Sequence, residues 1–435
     1  MSTINLRCVT VLFASMAVGL VLSVASAQDL PAAKPEDVGV SSEKVEGLSK
    51  FMQSLVDDGK IAGGVTMMAR HGKVVHLKAV GMADREDKKP MRTDAIFRIA
   101  SMTKPITSVA IMMLWEQKKL DLDDPVSKYV PEFKNPKVLV RVEPLETKPA
   151  KREITIRHLL THTSGLGNKT TPKIGPLYDR YKISGGFCNI TEVKLEEMMK
   201  RLAGVPLLFH PGENWEYGLS TDVLGRVVEV ASEMPLDRFV EEKICQPLGM
   251  IDTFFKASAE KKKRIVAAYF STKDGIKKLE DGESLPDGQT PAYPYHPSHK
   301  YLSGGGGLCS TPTDYMRFCQ MLLNGGELDG VRLLKKDTVN KMAVDQLGEL
   351  RIPSRSDIPS VIDKFGLGFT MYGDKHPQEQ LRGAYAWFGF WSTSFRISPR
   401  GDWIIVTMNQ LAWDEKASPA WFAQYEKIAA ETIIK

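Results

Sequence analysis

Cysteine is scarce in this chain, five residues among 435, and that scarcity excludes a fold stapled together by a disulfide framework. Cys188, Cys245, Cys309 and Cys319 follow no framework spacing. They read as structural residues, and any pairing among them stays open. Long apolar runs are missing beyond the N-terminus, so no later stretch can span a bilayer. Charge of one sign is nowhere concentrated, and the formal net charge is only +5. The densest basic run, Lys261 to Arg264, follows Glu260 and lacks interleaved aromatic residues. It predicts a solvated helical face and no nucleic-acid partner. Internal repeats and low-complexity segments are absent as well, which excludes a solenoid. What remains is 43% hydrophobic and 26% charged, enough for one large domain or two closely joined ones.

The N-terminus carries an address. Arg7 supplies a positive start, Val9 to Val24 is almost wholly apolar, and Ala25-Ser26-Ala27 offers the small residues a signal peptidase needs. Residues 1–27 are therefore expected to be a cleaved export signal, leaving a periplasmic or secreted protein with no stable membrane anchor. Cys8 precedes the apolar stretch rather than following it, which argues against a lipoprotein. Oligomeric state is not legible.

Along residues 28–435 the pattern predicts strands at both ends and helices between them. A helical face over Asp37–Asp58 is followed by a hairpin, Gly63–Arg70 and Lys73–Val80, turning at His71-Gly72. Ile96–Ile99 is extended, and Pro105–Gln117 is a strongly apolar helix. Roughly 121–298 reads as a mostly helical insertion with few strands, its clearest helices being Glu192–Leu202 and Thr221–Ser232. Then come a helix over Pro312–Leu323, strands over Phe365–Met371, Ser392–Ser398 and Trp403–Asn409, and a closing helix from Pro419 to Ile434. The expected class is α/β (α+β), an antiparallel sheet built from both chain ends and flanked by helices.

The candidate chemistry begins at Ser101-Met102-Thr103-Lys104. A serine hydroxyl is a poor nucleophile until a neighbour takes its proton. Residues three apart on a helix share a face, so Lys104 can reach Ser101, and a buried lysine can give up its proton near neutral pH. Ser101 also opens a helix, where free amides can hold an oxyanion. The spacing alone is weak, because Ser41–Lys44 and Ser258–Lys261 repeat it. Both lie in charge-rich surroundings that keep a lysine solvated. Only Ser101 follows an extended apolar segment and starts an apolar helix.

Further runs accumulate in order: Ile154 to Leu166 (ITIRHLLTHTSGL), Phe209-His210-Pro211-Gly212 leading to Tyr217, and Ser303 to Gly306 leading to Pro312. Together with Ser101 and Lys104, they resemble the β-lactamase-like, penicillin-recognising serine hydrolases from about Asp37 to the C-terminus. That family includes class C β-lactamases, DD-peptidases and family VIII carboxylesterases, and the motif pattern is most similar to the last. The resemblance implies a β-lactamase/transpeptidase-like fold and an acyl-enzyme on Ser101, with Lys104 and Tyr217 moving the proton. It places Leu219 where β-lactamases have an asparagine that holds the substrate amide. It aligns Trp387-Phe388-Gly389 with the motif that in lactamases supplies a cation for the substrate carboxylate. Trp387, Phe388 and Gly389 are then substrate-binding, Gly389 letting the strand come close. The backbone N–H groups of Ser101 and Phe390 form the oxyanion hole.

Leu219 and the apolar pair favour a small neutral ester over a β-lactam. The alternatives are a β-lactamase, DD-peptidase or D-amino-acid amidase of the cell envelope, and a non-catalytic envelope-binding protein. No metal or organic cofactor is implied. His158 and His162 stand four apart, but the zincin pattern needs Glu directly after the first His and Leu159 stands there. The Gly304–Gly307 run lacks the following Lys-Ser or Lys-Thr of a phosphate loop, and no Gly-x-Ser-x-Gly elbow occurs.

Overall fold

The predicted amphipathic helix is α1 (Ser42–Asp57), which buries Val45, Leu48, Met52 and Leu55 along one side. It opens the computed structural model, which describes residues 29–183, 189–352 and 362–434. Residues 1–27, expected to be an export signal, with Cys8, and also Cys188, lie outside the described residues. The predicted hairpin follows as β1 (Gly63–Arg70) and β2 (Lys73–Asp84). His71 and Gly72 turn it at φ 50° and 71°, the left-handed pair whose twist suits a two-residue hairpin.

Next come β3 (Lys89–Pro90), β4 (Phe97–Arg98) and the apolar helix α2 (Thr103–Glu116). Among the described residues, the middle of the chain holds β5 (Lys137–Arg141) with β6 (Glu146–Pro149), and six α-helices. These are α3 (Ile156–Leu160), α4 (Gly175–Arg180), α5 (Leu195–Ala203), α6 (Ser220–Ser232), α7 (Leu236–Val240) and α8 (Ala259–Lys262). A second ribbon, β7 (Tyr269–Thr272) and β8 (Gly275–Lys278), precedes β9 (Cys309–Ser310) and α9 (Pro312–Leu323). Then follow β10 (Glu327–Leu328), β11 (Val331–Arg332) and α10 (Lys336–Met342). The chain closes with β12 (Ile362–Phe365), β13 (Thr370–Tyr372), β14 (Tyr385–Gly389), β15 (Thr393–Ser398), β16 (Trp403–Asn409) and α11 (Ala417–Glu431).

The main sheet runs β12-β13-β14-β15-β16-β1-β2-β3, antiparallel throughout. Its seam is the pairing of the two chain ends, Gly64 against Asn409 through Arg70 against Trp403. β1 is buried along nearly its whole length because both faces are covered. α1 packs on β1 and β2, and α11 packs on α1. α9 packs on β1, β15 and β16. An apolar run without alternation is what burial on two faces requires.

Two expectations need correcting. The strand expected over Phe365–Met371 is two strands, β12 and β13, meeting in a turn where Gly366 N–H donates to the Phe369 carbonyl (2.9 Å) and Gly368 has φ 106°. The middle of the chain also carries the ribbons β5–β6 and β7–β8. Each is a two-stranded ribbon outside the main sheet, bridged to other segments at Val138–Leu207 and Tyr269–Leu411, and strands this short carry little of the alternation that makes one visible in sequence. The basic run at 261–264 is neutralised in place. Lys261 and Arg264 face Asp252 (3.9 and 2.8 Å), Lys262 faces Asp281 (3.6 Å) and Lys263 faces Glu260 (2.7 Å). Cys245, Cys309 and Cys319 are buried free thiols.

Candidate active site

Ser101 sits in a single 3-10 turn, Ala100–Met102, that feeds directly into α2. The turn is tied down on both sides. Ile99 N–H donates to the Leu308 carbonyl (3.0 Å), and the Tyr315 hydroxyl donates to the Met102 carbonyl (2.8 Å). Ala100 is held at φ 41°, a left-handed conformation that costs a residue with a Cβ about 1–3 kcal/mol. It is fully buried and belongs to a cluster with Leu279, Tyr293 and Trp391, so packing holds the strained backbone beside the serine. The other two Ser-x-x-Lys runs are helix starts. Ser41 accepts from the Lys44 amide and Ser258 from the Lys261 amide, each an N-cap. One sequence pattern therefore serves two structural purposes here, and burial separates them.

Lys104 is 1% exposed. Its Nζ donates to Ser101 Oγ (3.3 Å) and to the Gly305 carbonyl (2.6 Å). Tyr217 comes from the other side, its hydroxyl donating to Ser101 Oγ at 2.7 Å, with Lys104 Nζ 4.7 Å from its ring centre. Ser101, Lys104 and Tyr217 thus form one hydrogen-bonded cluster, although 116 positions separate the tyrosine from the serine. The run Ile154–Leu166 explains how Tyr217 is placed. The His162 carbonyl accepts from Glu216 N–H (2.9 Å), and Ser164 Oγ meets Ser220 Oγ at 2.8 Å. Just beyond it, Asn168 Nδ2 donates to the Tyr217 carbonyl (3.2 Å).

His158 and His162 do not share a helix face. His158 belongs to the capping box of α3, and His162 lies past its end at φ 55°. His162 packs on the Tyr217 ring (centroids 5.0 Å). Burial, and after it the Lys104 charge, pushes its pKa well below the usual 6.5, so a neutral imidazole backs the tyrosine. Among the described residues no group of three His, Cys, Asp or Glu side chains could hold a metal ion. Leu219, at the position where an asparagine was looked for, is fully buried and apolar.

Sequence reasoning assigned no role to Asp222, five residues after Tyr217. It is fully buried and accepts from the Tyr301 hydroxyl (2.8 Å) and Ser303 Oγ (2.7 Å). Burial raises its pKa, and the Ser303 hydrogen bond, the Lys104 charge and the Tyr301 hydrogen bond pull it back. Asp222 therefore anchors the segment that ends in the Gly305 carbonyl on which Lys104 rests. The glycine run lets this segment reach both helices: a Cβ on Gly304 would lie 2.6 Å from the Thr221 carbonyl in α6. A lone aspartate at the start of an otherwise apolar stretch was the signal available in the sequence.

On the third side, β14 brings in Trp387, Phe388 and Gly389. Trp387 is buried against Tyr217 (5.6 Å) and Phe365 (5.5 Å). The Phe388 ring stacks on Trp387 and Trp413 and meets Phe422 of α11 (5.1, 4.9 and 5.9 Å). Gly389 was expected to let the strand approach the substrate closely, and it also lies close to the nucleophile's own turn. An added Cβ would lie 2.3 Å from the Ile99 carbonyl and 2.4 Å from Thr393 Oγ1. Gly389→Ala is thus expected to push β14 off that turn and lower kcat/KM by about a hundredfold, since a 1 Å misplacement costs about that much. Steady-state kinetics on variant and parent would check this; activity within twofold of the parent would show that the gap is not needed.

Compared with known proteins, residues 48–426 match the family described as Beta-lactamase. Esterase EstB of Burkholderia gladioli is 41% identical over 277 residues, covering 62% of this chain and 68% of its own. A putative D-alanyl-D-alanine carboxypeptidase of Escherichia coli K12 is 28% identical, over 84% of this chain and 81% of its own. Among solved structures, EstCE1, described as a hydrolase with promiscuous acyltransferase activity, superposes with a TM-score of 0.76. It is 28% identical and covers 90% of this chain and 98% of its own.

Proposed function

The chain belongs to the beta-lactamase family, and on that premise we propose that it is a serine carboxylesterase acting on small neutral esters. The observation that carries this reading is the Ser101 hydroxyl shared by Tyr217 and Lys104 at 2.7 and 3.3 Å, with apolar Trp387 packed on the Tyr217 ring where the family resemblance puts a lactamase's cation. Ser101 Oγ attacks the ester carbonyl while its proton passes to Tyr217 as phenolate, whose charge the nearby Lys104 ammonium stabilises. The backbone N–H groups of Ser101 and Phe390 hold the developing oxyanion. The carbon–oxygen bond to the alcohol then breaks, and Tyr217 returns the proton to the leaving oxygen. Water, activated by the same base, hydrolyses the acyl-enzyme and frees Ser101. We propose export to the periplasm or beyond on the strength of the Arg7, Val9–Val24 and Ala25-Ser26-Ala27 pattern.

The test is steady-state hydrolysis of p-nitrophenyl butyrate against the chromogenic cephalosporin nitrocefin. A β-lactam carboxylate that finds no cation forgoes charge-assisted hydrogen bonds, about 1.5–3 kcal/mol. The ester is therefore expected to lead in kcat/KM by about 10- to 100-fold or more. Preferred nitrocefin turnover would replace this reading with a β-lactamase, and silence on both would turn attention to D-amino-acid peptides.

A further inference from the structure

A cleft of about 690 Å³ opens beside the site, with Phe270, Leu279, Leu285, Phe390 and Trp413 among its walls. That volume is in the range of cavities that enclose a drug-sized molecule. The walls of the cleft are tied to the nucleophile's turn in two ways. Phe390, Phe270 and Leu285 pack against the buried cluster that contains Ala100, Leu279 and Ala412, so the cleft rests on the residue immediately before Ser101. Phe390 itself follows Gly389, whose backbone abuts the Ile99 carbonyl. Phe390 therefore lines the cleft, and its amide is the one proposed above for the oxyanion hole.

We infer that this cleft receives the acyl half of the ester, and that it selects a bulky apolar acyl group carrying no carboxylate. The inference rests on the esterase reading and deepens it. Its direction follows from the chemistry. The leaving oxygen must face Tyr217, the group that returns its proton, and neither Tyr217 nor its ring neighbours Trp215 and Trp387 line the cleft. The oxyanion is turned toward Phe390 N–H, so the remaining substituent of the tetrahedral carbon is the acyl chain, which runs past Phe390. The charge preference follows from the walls. Glu283 and Asp287 line the cleft, and among the described residues no lysine, arginine or histidine does. Lys277, beyond the lining, pairs with Glu283 at 3.4 Å. An acyl carboxylate would enter an apolar, acid-lined space without a partner.

The experiment compares kcat/KM for four esters with the full-length mature protein: p-nitrophenyl acetate, p-nitrophenyl 4-phenylbutyrate, mono-p-nitrophenyl glutarate, and 1-naphthyl acetate, which carries its bulk on the leaving side. The phenylbutyrate is expected to exceed p-nitrophenyl acetate by about tenfold or more, a gain that even a few buried methylenes can supply. The glutarate is expected to fall below the acetate. Leu285→Trp, which fills the cleft, is expected to cut the phenylbutyrate-to-acetate ratio at least tenfold while the naphthyl-to-p-nitrophenyl acetate ratio moves less than threefold. Ratios within one protein cancel any loss of folded enzyme, and the parent series stands alone if the variant does not fold. Acetate turnover without a phenylbutyrate preference, a glutarate as good as the phenylbutyrate, or an unchanged ratio in Leu285→Trp would overturn the cleft assignment and leave the esterase reading intact. No turnover of any of the four would overturn both.

Discussion

Ser101→Ala is expected to lower kcat for ester hydrolysis on the order of 10⁴-fold or more, because a covalent route has no substitute for its nucleophile. Background catalysis from the oxyanion hole and binding sets the floor, about 10³–10⁴ over the uncatalysed reaction. The fold should tolerate the change. The hydroxyl removed is small, and the turn that carries it is held by Ile99, Met102 and the packing of Ala100 rather than by the Ser101 side chain. Kinetics with p-nitrophenyl butyrate, a fluorophosphonate labelling gel and a thermal melt together make the check. Labelling should disappear while the melting temperature stays within a few degrees. A variant that keeps more than a few percent of parental kcat would remove Ser101 from the mechanism, and a labelled variant would point to another nucleophile.

Tyr217→Phe is expected to lower kcat by about 10²–10⁴-fold, the span of general acid–base catalysis, with KM little changed. The phenyl ring keeps its packing on His162 and Trp387, so the loss isolates the hydroxyl that lies 2.7 Å from Ser101 Oγ. Lys104→Met should cost a comparable factor, because methionine fills the buried volume without the donor to Ser101 and Gly305. The decisive measurement is the double variant. Two groups that handle one proton act as a unit, so the double loss should be close to the larger single loss rather than their product. Fully multiplicative losses would mean that the two residues do separate jobs, and the shared-proton scheme would fall.

The legible parts of this protein were those with a local cause. The His71-Gly72 hairpin, α9 beginning at its proline and the apolar helix after Ser101 follow from turn chemistry, capping and periodicity. Ser101 could be chosen over Ser41 and Ser258 because charge around a serine is written in its neighbours. The ribbons β5–β6 and β7–β8 are not legible because strands of four or five residues outside the main sheet show too little alternation to stand out. The break between β12 and β13 was missed because a glycine pair inside an apolar run reads equally as strand or turn until the partner strand is known.

The amino-acid sequence by itself singled out a serine and a lysine three positions apart as the candidates for the chemistry, and the family resemblance added Tyr217. Their spacing, the alternation of strands and helices, and the poverty of charge around Ser101 are short-range properties that a linear pattern can carry. Only the tertiary structure decided what those side chains meet. It sealed the sheet through the β1–β16 pairing, brought Tyr217 across 116 positions to Ser101, and set Lys104 on the Gly305 carbonyl of a segment anchored by Asp222. It also set Gly389 against the Ile99 carbonyl. Contacts between distant segments depend on how whole elements pack, and close packing fixes them to fractions of an ångström that no local pattern specifies.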